Sequence, residues 1–278
     1  MGARRKRIEE RHYWSALSGP GRTPRRDPFP ISAPHKVDYW ADNKKVLSEL
    51  IKAESDALIF PSSRIHAFYG PLGGGKSFAV SYLADPNTRK VLMKHVYLAG
   101  KAKDFSAFSV PASYPLRAGM LTRTVYLGIF RKLFNEVVSQ VHLLDDLREM
   151  TRNTPGTVGQ ALRSIIHSAS RDIEGKISLP TIEGTEGYKL LTLERSRLGS
   201  LKTQDDYVLA IKSVAEPLLA KYQKIIIAID ELENLRQVSA SERLFFNDFV
   251  RRLHQEIETG LVIILVFTLQ TFGEVESV

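Results

Sequence analysis

The chain has 278 residues, 43 % of them hydrophobic and 25 % charged, an ordinary balance for a globular protein with a sizeable core. It has no cysteine, which excludes disulfides and thiolate metal sites. No apolar run is long enough to span a bilayer, no apolar segment follows the basic N-terminus as a secretory signal requires, and Lys6 stands where a myristoylation motif needs Ser or Thr, so a cytoplasmic location is expected.

The net charge of +8 is unevenly placed. Residues 1–36 hold nine Lys and Arg against three Asp and Glu, so +6 of the total lies in this segment. Gly19-Pro20-Gly21, Pro24, Pro28, Pro30 and Pro34 oppose both helix and central strand there. The pattern predicts an extended basic leader over 1–36, followed by one domain over 37–278. Such a leader can attract duplex DNA or an acidic partner, or simply be solvated.

A helix is predicted from the N-cap Asp42 to Ala57, with Val46, Leu47, Leu50 and Ile51 as its apolar stripe. Ile65-His66-Ala67-Phe68-Tyr69 reads as a short strand, and a helix opens after Lys76 and closes at Asp85-Pro86-Asn87. Val91 to Leu98 reads as a second strand and Met120 to Leu144 as one long helix. Residues 145–204 read as a helical insertion with a loop, helical over Thr157 to Asp172 and punctuated afterwards by Gly175, Gly184, Gly187 and Gly199. A helix from Asp205 to Lys221, a strand from Lys224 to Ile229, a helix from Ser241 to Glu258 and a strand from Leu261 to Phe267 complete the series. Strands alternating with helices, and strands that are continuous Ile/Val/Leu runs, predict an α/β sandwich of three layers around a parallel sheet.

Two segments carry chemistry. Gly70-Pro71-Leu72-Gly73-Gly74-Gly75-Lys76-Ser77 matches the Walker A spacing in full, with a strand before it and a helix after it. Glycines let backbone N–H groups point inward at phosphate oxygens, and the helix start turns its positive dipole end to the same anion. Lys76 reaches the β- and γ-phosphates, Ser77 ligates Mg²⁺, and Phe78 continues the candidate binding stretch. The second segment, Ile225-Ile226-Ile227-Ala228-Ile229-Asp230-Glu231, is an apolar strand ending in two carboxylates. Asp230 is placed to hold Mg²⁺, and Glu231 to polarise the attacking water as general base. Glu233 is a second acid nearby, in a minor role. ATP and Mg²⁺ are the expected ligands.

In these residues the chain resembles the AAA+ superfamily of P-loop ATPases. It looks most like the archaeal origin-recognition and initiator branch and related ATPases of mobile elements and defence systems. The resemblance covers about 37–100 and 205–271. It implies that a polar residue at the end of the Leu261 strand, Thr268 or in second place Gln270, positions water near the γ-phosphate, and that Tyr39 or Trp40 lies where related proteins contact adenine, with packing over the core as the other use of that pair. It also implies a helical lid and an arginine finger. No segment after residue 271 matches the lid. Arg251 and Arg252 lie too early for the finger and read as a solvated basic face. The finger is therefore expected from a partner protein or a second copy, with weak turnover by the isolated chain. Two functions compete: an ATPase switch that assembles on nucleic acid, and a signalling or defence NTPase acting through a protein partner without DNA. A small-molecule kinase is the third reading, and Glu231 argues against it.

Overall fold

The computed structural model of the chain describes residues 60–71, 74–85, 105–112, 120–174, 196–222 and 224–268. The basic leader, the predicted helix before residue 60, the predicted strand Val91 to Leu98, and Leu72, Gly73, Tyr39, Trp40 and Gln270 lie outside the described residues.

Among the described residues, four strands make one all-parallel sheet: β1 (Arg64–Gly70), β2 (Ser106–Pro111), β3 (Ile225–Asp230) and β4 (Leu261–Thr268), in the order β1-β4-β3-β2. The helices are α1 (Lys76–Ala84), α2 (Leu121–Val138), α3 (Val141–Arg152), α4 (Gly156–Glu174), α5 (Gln204–Tyr222) and α6 (Ala240–Glu256). The central strands β3 and β4 are apolar on both faces because both faces are covered. Ile226, Ala228, Val262, Ile264 and Val266 form a smaller core with Ala79, Val80, Tyr82 and Leu83 of α1. Ile225, Ile227, Ile229, Leu261 and Ile263 face a larger core built with α2, α3, α4, α5 and α6.

β2 was not visible in the sequence pattern. Ser-Ala-Phe-Ser-Val-Pro is short and half polar, and what holds it extended is its pairing with β3, from Ser106 opposite Ile225 to Pro111 opposite Asp230.

The single helix predicted from Met120 to Leu144 is two helices. Ser139 Oγ donates back to Glu136 O at 2.7 Å, and Gln140 leaves the helical region at φ −134°, ψ 105°. Gln140 Nε2 donates to Glu136 Oε1 and to Tyr222 Oη, each at 3.0 Å, which ties the break to the end of α5. The apolar period continues through Leu143, Leu144 and Leu147, so the sequence disguises the change of direction.

The region predicted as an insertion shares one core with the rest of this sheet face. Val158, Ala161, Leu162, Ile166 and Ala169 of α4 recur at helical spacing and join that core together with Leu143 and Leu147 of α3. No helix among the described residues is long and apolar enough to cross a membrane.

Candidate functional site at the carboxyl end of the sheet

The strand register assembles the site. Side chains alternate between the faces of a strand, so Gly70, Asp230 and Thr268 fall on the α1 side with Ile226, Ala228 and Val266. Gly70 pairs with Thr268, so the end of β1 and the tip of β4 are neighbours. Ile229 pairs with Leu265, so Asp230 is level with Val266 and Thr268 stands two residues further along.

The glycine turn leads from β1 into α1. Gly75 is the N-cap of α1 at φ 83°, ψ 11°, a left-handed backbone that glycine adopts without a Cβ clash. Gly74 N donates to Pro71 O at 3.1 Å, and a Cβ on Gly74 would meet that same oxygen at 3.0 Å. Lys76 is buried at 7 % exposure, and its ammonium donates to Pro71 O at 2.7 Å. Burial lowers the Lys76 pKa, and the charges of Glu233 and Asp230 oppose that shift.

Ser77 and Asp230 lie close together: the Ser77 hydroxyl favours the charged form of the Asp230 carboxylate. Asp230 Oδ1 accepts from Glu231 N at 2.8 Å. Asp230 is 8 % exposed, and burial pushes its carboxyl up, assisted by the charge of Glu233 and opposed by the Ser77 hydroxyl, the Glu231 N–H and Lys76.

Glu231 is exposed and sits at φ 62°, the sole non-glycine residue with positive φ among the described residues. After it the chain forms a short 3-10 helix, Leu232–Gln237, anchored by buried Leu232 and Leu235. Asn234 Nδ2 donates to Ala112 O at 2.8 Å, and Ala112 N donates to Asp230 O at 2.6 Å, which locks this turn to the end of β2. Thr268 N donates to Glu233 Oε2 at 3.1 Å. The spacing Asp-Glu-Leu-Glu-Asn held the signal for Glu233 and Asn234, but that Glu233 rather than Glu231 is the half-buried acid goes with the left-handed backbone at Glu231 itself.

Of the predicted site residues, the structure brings Gly70, Pro71, Gly74, Gly75, Lys76, Ser77, Asp230 and Thr268 to one end of the sheet. Phe78 turns its ring to the smaller core, stacking on Tyr82 with centroids 6.1 Å apart, so what it offers a phosphate is its backbone N–H. Arg251 and Arg252 pair with Asp248, and Arg252 also with Asp205, on the protein surface, as the solvated reading expected.

A cleft of about 500 Å³ lies between the starts of α2, α5 and α6, lined by Thr122, Arg123, Lys202, Tyr207, Glu242 and Phe245 among others. None of the described glycine-turn residues lines it. Glu242 spends its carboxylate there on Thr122 N and Oγ1, each at 2.8 Å, capping α2 from α6. The constellation of ammonium, hydroxyl and carboxylate is at the glycine turn.

The donors at the turn suit a hard cation held beside a phosphate. A hydroxyl and a carboxylate are oxygen ligands, the class Mg²⁺ takes. No group of three His, Cys, Asp or Glu side chains able to hold a metal occurs among the described residues, so Ser77 and Asp230 would hold an ion only together with oxygen ligands from elsewhere.

Comparison with protein-family models, curated proteins and solved structures returned no match for this chain.

Proposed function

We propose that the chain binds ATP with Mg²⁺ at the glycine turn and hydrolyses it, as an AAA+-like ATPase switch that assembles on nucleic acid. One observation carries the nucleotide reading: the Ser77 hydroxyl lies close enough to the Asp230 carboxylate to favour its charge, and the Lys76 ammonium, next in sequence, acts on the same carboxylate. These residues lie more than 150 positions apart in the chain, and a merely structural glycine turn gives no reason for them to meet. In the proposed site the turn's N–H groups and Lys76 hold phosphate oxygens, and Ser77 and Asp230 hold the metal. Mg²⁺, when bound, neutralises phosphate charge and polarises the terminal phosphoryl group. Glu231 serves as the general base, and the left-handed backbone at its position is the kind of local strain that clusters at functional sites. The nucleic-acid part rests on the +6 charge of residues 1–36.

The test is a titration of the full chain with Mg²⁺-ATP, with and without duplex DNA, following oligomer size and phosphate release. DNA and ATP together raise assembly or turnover, and Lys76→Ala removes the effect. Binding of ATP that depends on Lys76 but ignores DNA replaces the nucleic acid with a protein partner. No Lys76-dependent ATP binding at all sinks the nucleotide site.

A further inference from the structure

We propose that Glu233 sets the metal dependence of the phosphate site, acting as a positioning residue whose negative charge resists metal-free nucleotide and admits the Mg²⁺ complex. The inference rests on the nucleotide reading above and concerns a residue to which the sequence pattern gave only a minor role.

The argument begins with strand order. β4 lies between β1 and β3, so its tip is the midpoint between the phosphate turn and Asp230. Glu233 is fastened to that tip, its Oε2 accepting the Thr268 N–H at 3.1 Å, and Thr268 is the residue opposite Gly70. The left-handed turn at Glu231 brings the chain back far enough for this contact. Glu233 is half-buried, whereas Glu231 is exposed. The charge of Glu233 raises the pKa of both Lys76 and Asp230, in keeping with its place at the strand tip beside Gly70.

The consequence is a matter of charge count. Three carboxylates, Asp230, Glu233 and the more exposed Glu231, face one ammonium, Lys76. The site is net negative before anything binds, and a bare triphosphate enters against that charge. A divalent cation entering with the triphosphate offsets it. Removing the charge of Glu233 takes away one of these negative charges, the half-buried one fastened to the tip of β4, and relaxes the demand for the cation. A group that only anchors β4 makes a different prediction. The amide oxygen of Gln accepts the Thr268 N–H as a carboxylate does, so the anchor survives Glu233→Gln while the charge does not.

The experiment is calorimetric titration of the full chain with ATP, once in excess Mg²⁺ and once in EDTA, for the native protein, Glu233→Gln, Glu233→Asp and Lys76→Ala. Thermal unfolding without nucleotide checks that each variant is folded. In EDTA, Glu233→Gln binds ATP about tenfold more tightly than the native chain, the scale expected for one charge removed at short range in a partly buried site. In Mg²⁺ the change is smaller, so the gain in affinity conferred by the metal shrinks. Glu233→Asp, which keeps the charge, keeps a metal-conferred gain close to the native one. The proposal is overturned if Glu233→Gln shows the native ratio between the two conditions while Lys76→Ala still lowers affinity in both; Glu233 is then only an anchor. If the native chain itself shows no Lys76-dependent binding with Mg²⁺, the nucleotide reading fails first and this inference falls with it.

Discussion

Two strands of the sheet leave their ends through a left-handed residue, and the two exits differ in what they display. After β1 the chain passes through Gly75 at φ 83° into α1; after β3 it passes through Glu231 at φ 62° into the 3-10 helix. Each residue is an N-cap, and neither contributes a side-chain capping bond. In the proposed function the first exit offers backbone N–H donors, which glycine exposes without strain. The second would offer a carboxylate, and a side chain does stand there where glycine would fit more easily, at a cost of about 1 kcal/mol. The comparison teaches that the glycine turn is good local chemistry whatever its use, whereas the acidic turn departs from local preference and asks for a reason.

Breaking the first exit has the largest effect on binding. Lys76→Ala removes the buried ammonium and lowers Mg²⁺-ATP affinity by about 100-fold, the scale of a charge-assisted contact to phosphate, as read by calorimetry. Breaking the second exit acts on turnover. Glu231→Gln and Glu231→Gly each lower single-turnover phosphate release by about 100-fold or more, as loss of a general base does. Their stabilities separate the two explanations of the turn. Glu231→Gly relieves the left-handed strain and unfolds at higher denaturant than Glu231→Gln, by up to about 1 kcal/mol after the greater freedom of glycine in the unfolded chain is allowed for. Equal midpoints for the two variants remove the strain argument. Gly75→Ala is the mirror experiment: it introduces strain where none exists and costs about 1 kcal/mol in chemical denaturation. The smallest effect on ligand-free stability is expected at Asp230. Asp230→Asn relieves a buried carboxylate and raises the ligand-free unfolding temperature slightly in a thermal scan, while removing the added stabilisation by Mg²⁺-ATP.

Much of the site was legible because its chemistry is local. The glycine spacing, the lysine and the serine form one contiguous run, and the Ile225 to Ile229 strand announces its own burial before delivering Asp230. The helices Gly156–Glu174, Gln204–Tyr222 and Ala240–Glu256 and the strand Leu261–Thr268 were also readable, from apolar runs and helical periodicity. β2 was not, because Ser106, Ala107 and Ser109 carry little strand preference and owe their conformation to pairing with β3. The break at Ser139 and Gln140 was hidden because the leucines of α3 continue the period of α2. The inward-facing role of Glu233 was hidden for a different reason. It depends on a hydrogen bond to Thr268, 35 residues away, and on one backbone angle at Glu231.

The sequence by itself determined the elements that bury apolar side chains at a fixed period, and the order of the turns between them, since periodicity and glycine spacing act over a few residues. It also supplied every functional group at the end of the sheet. The tertiary structure alone decided which of those groups share a space. Placing β4 between β1 and β3 brings Thr268 beside Gly70, and Glu233 is fastened to that same strand tip. Strand order and register are settled by long-range hydrogen bonding and by the packing of two unequal cores, and no local pattern in the chain records them.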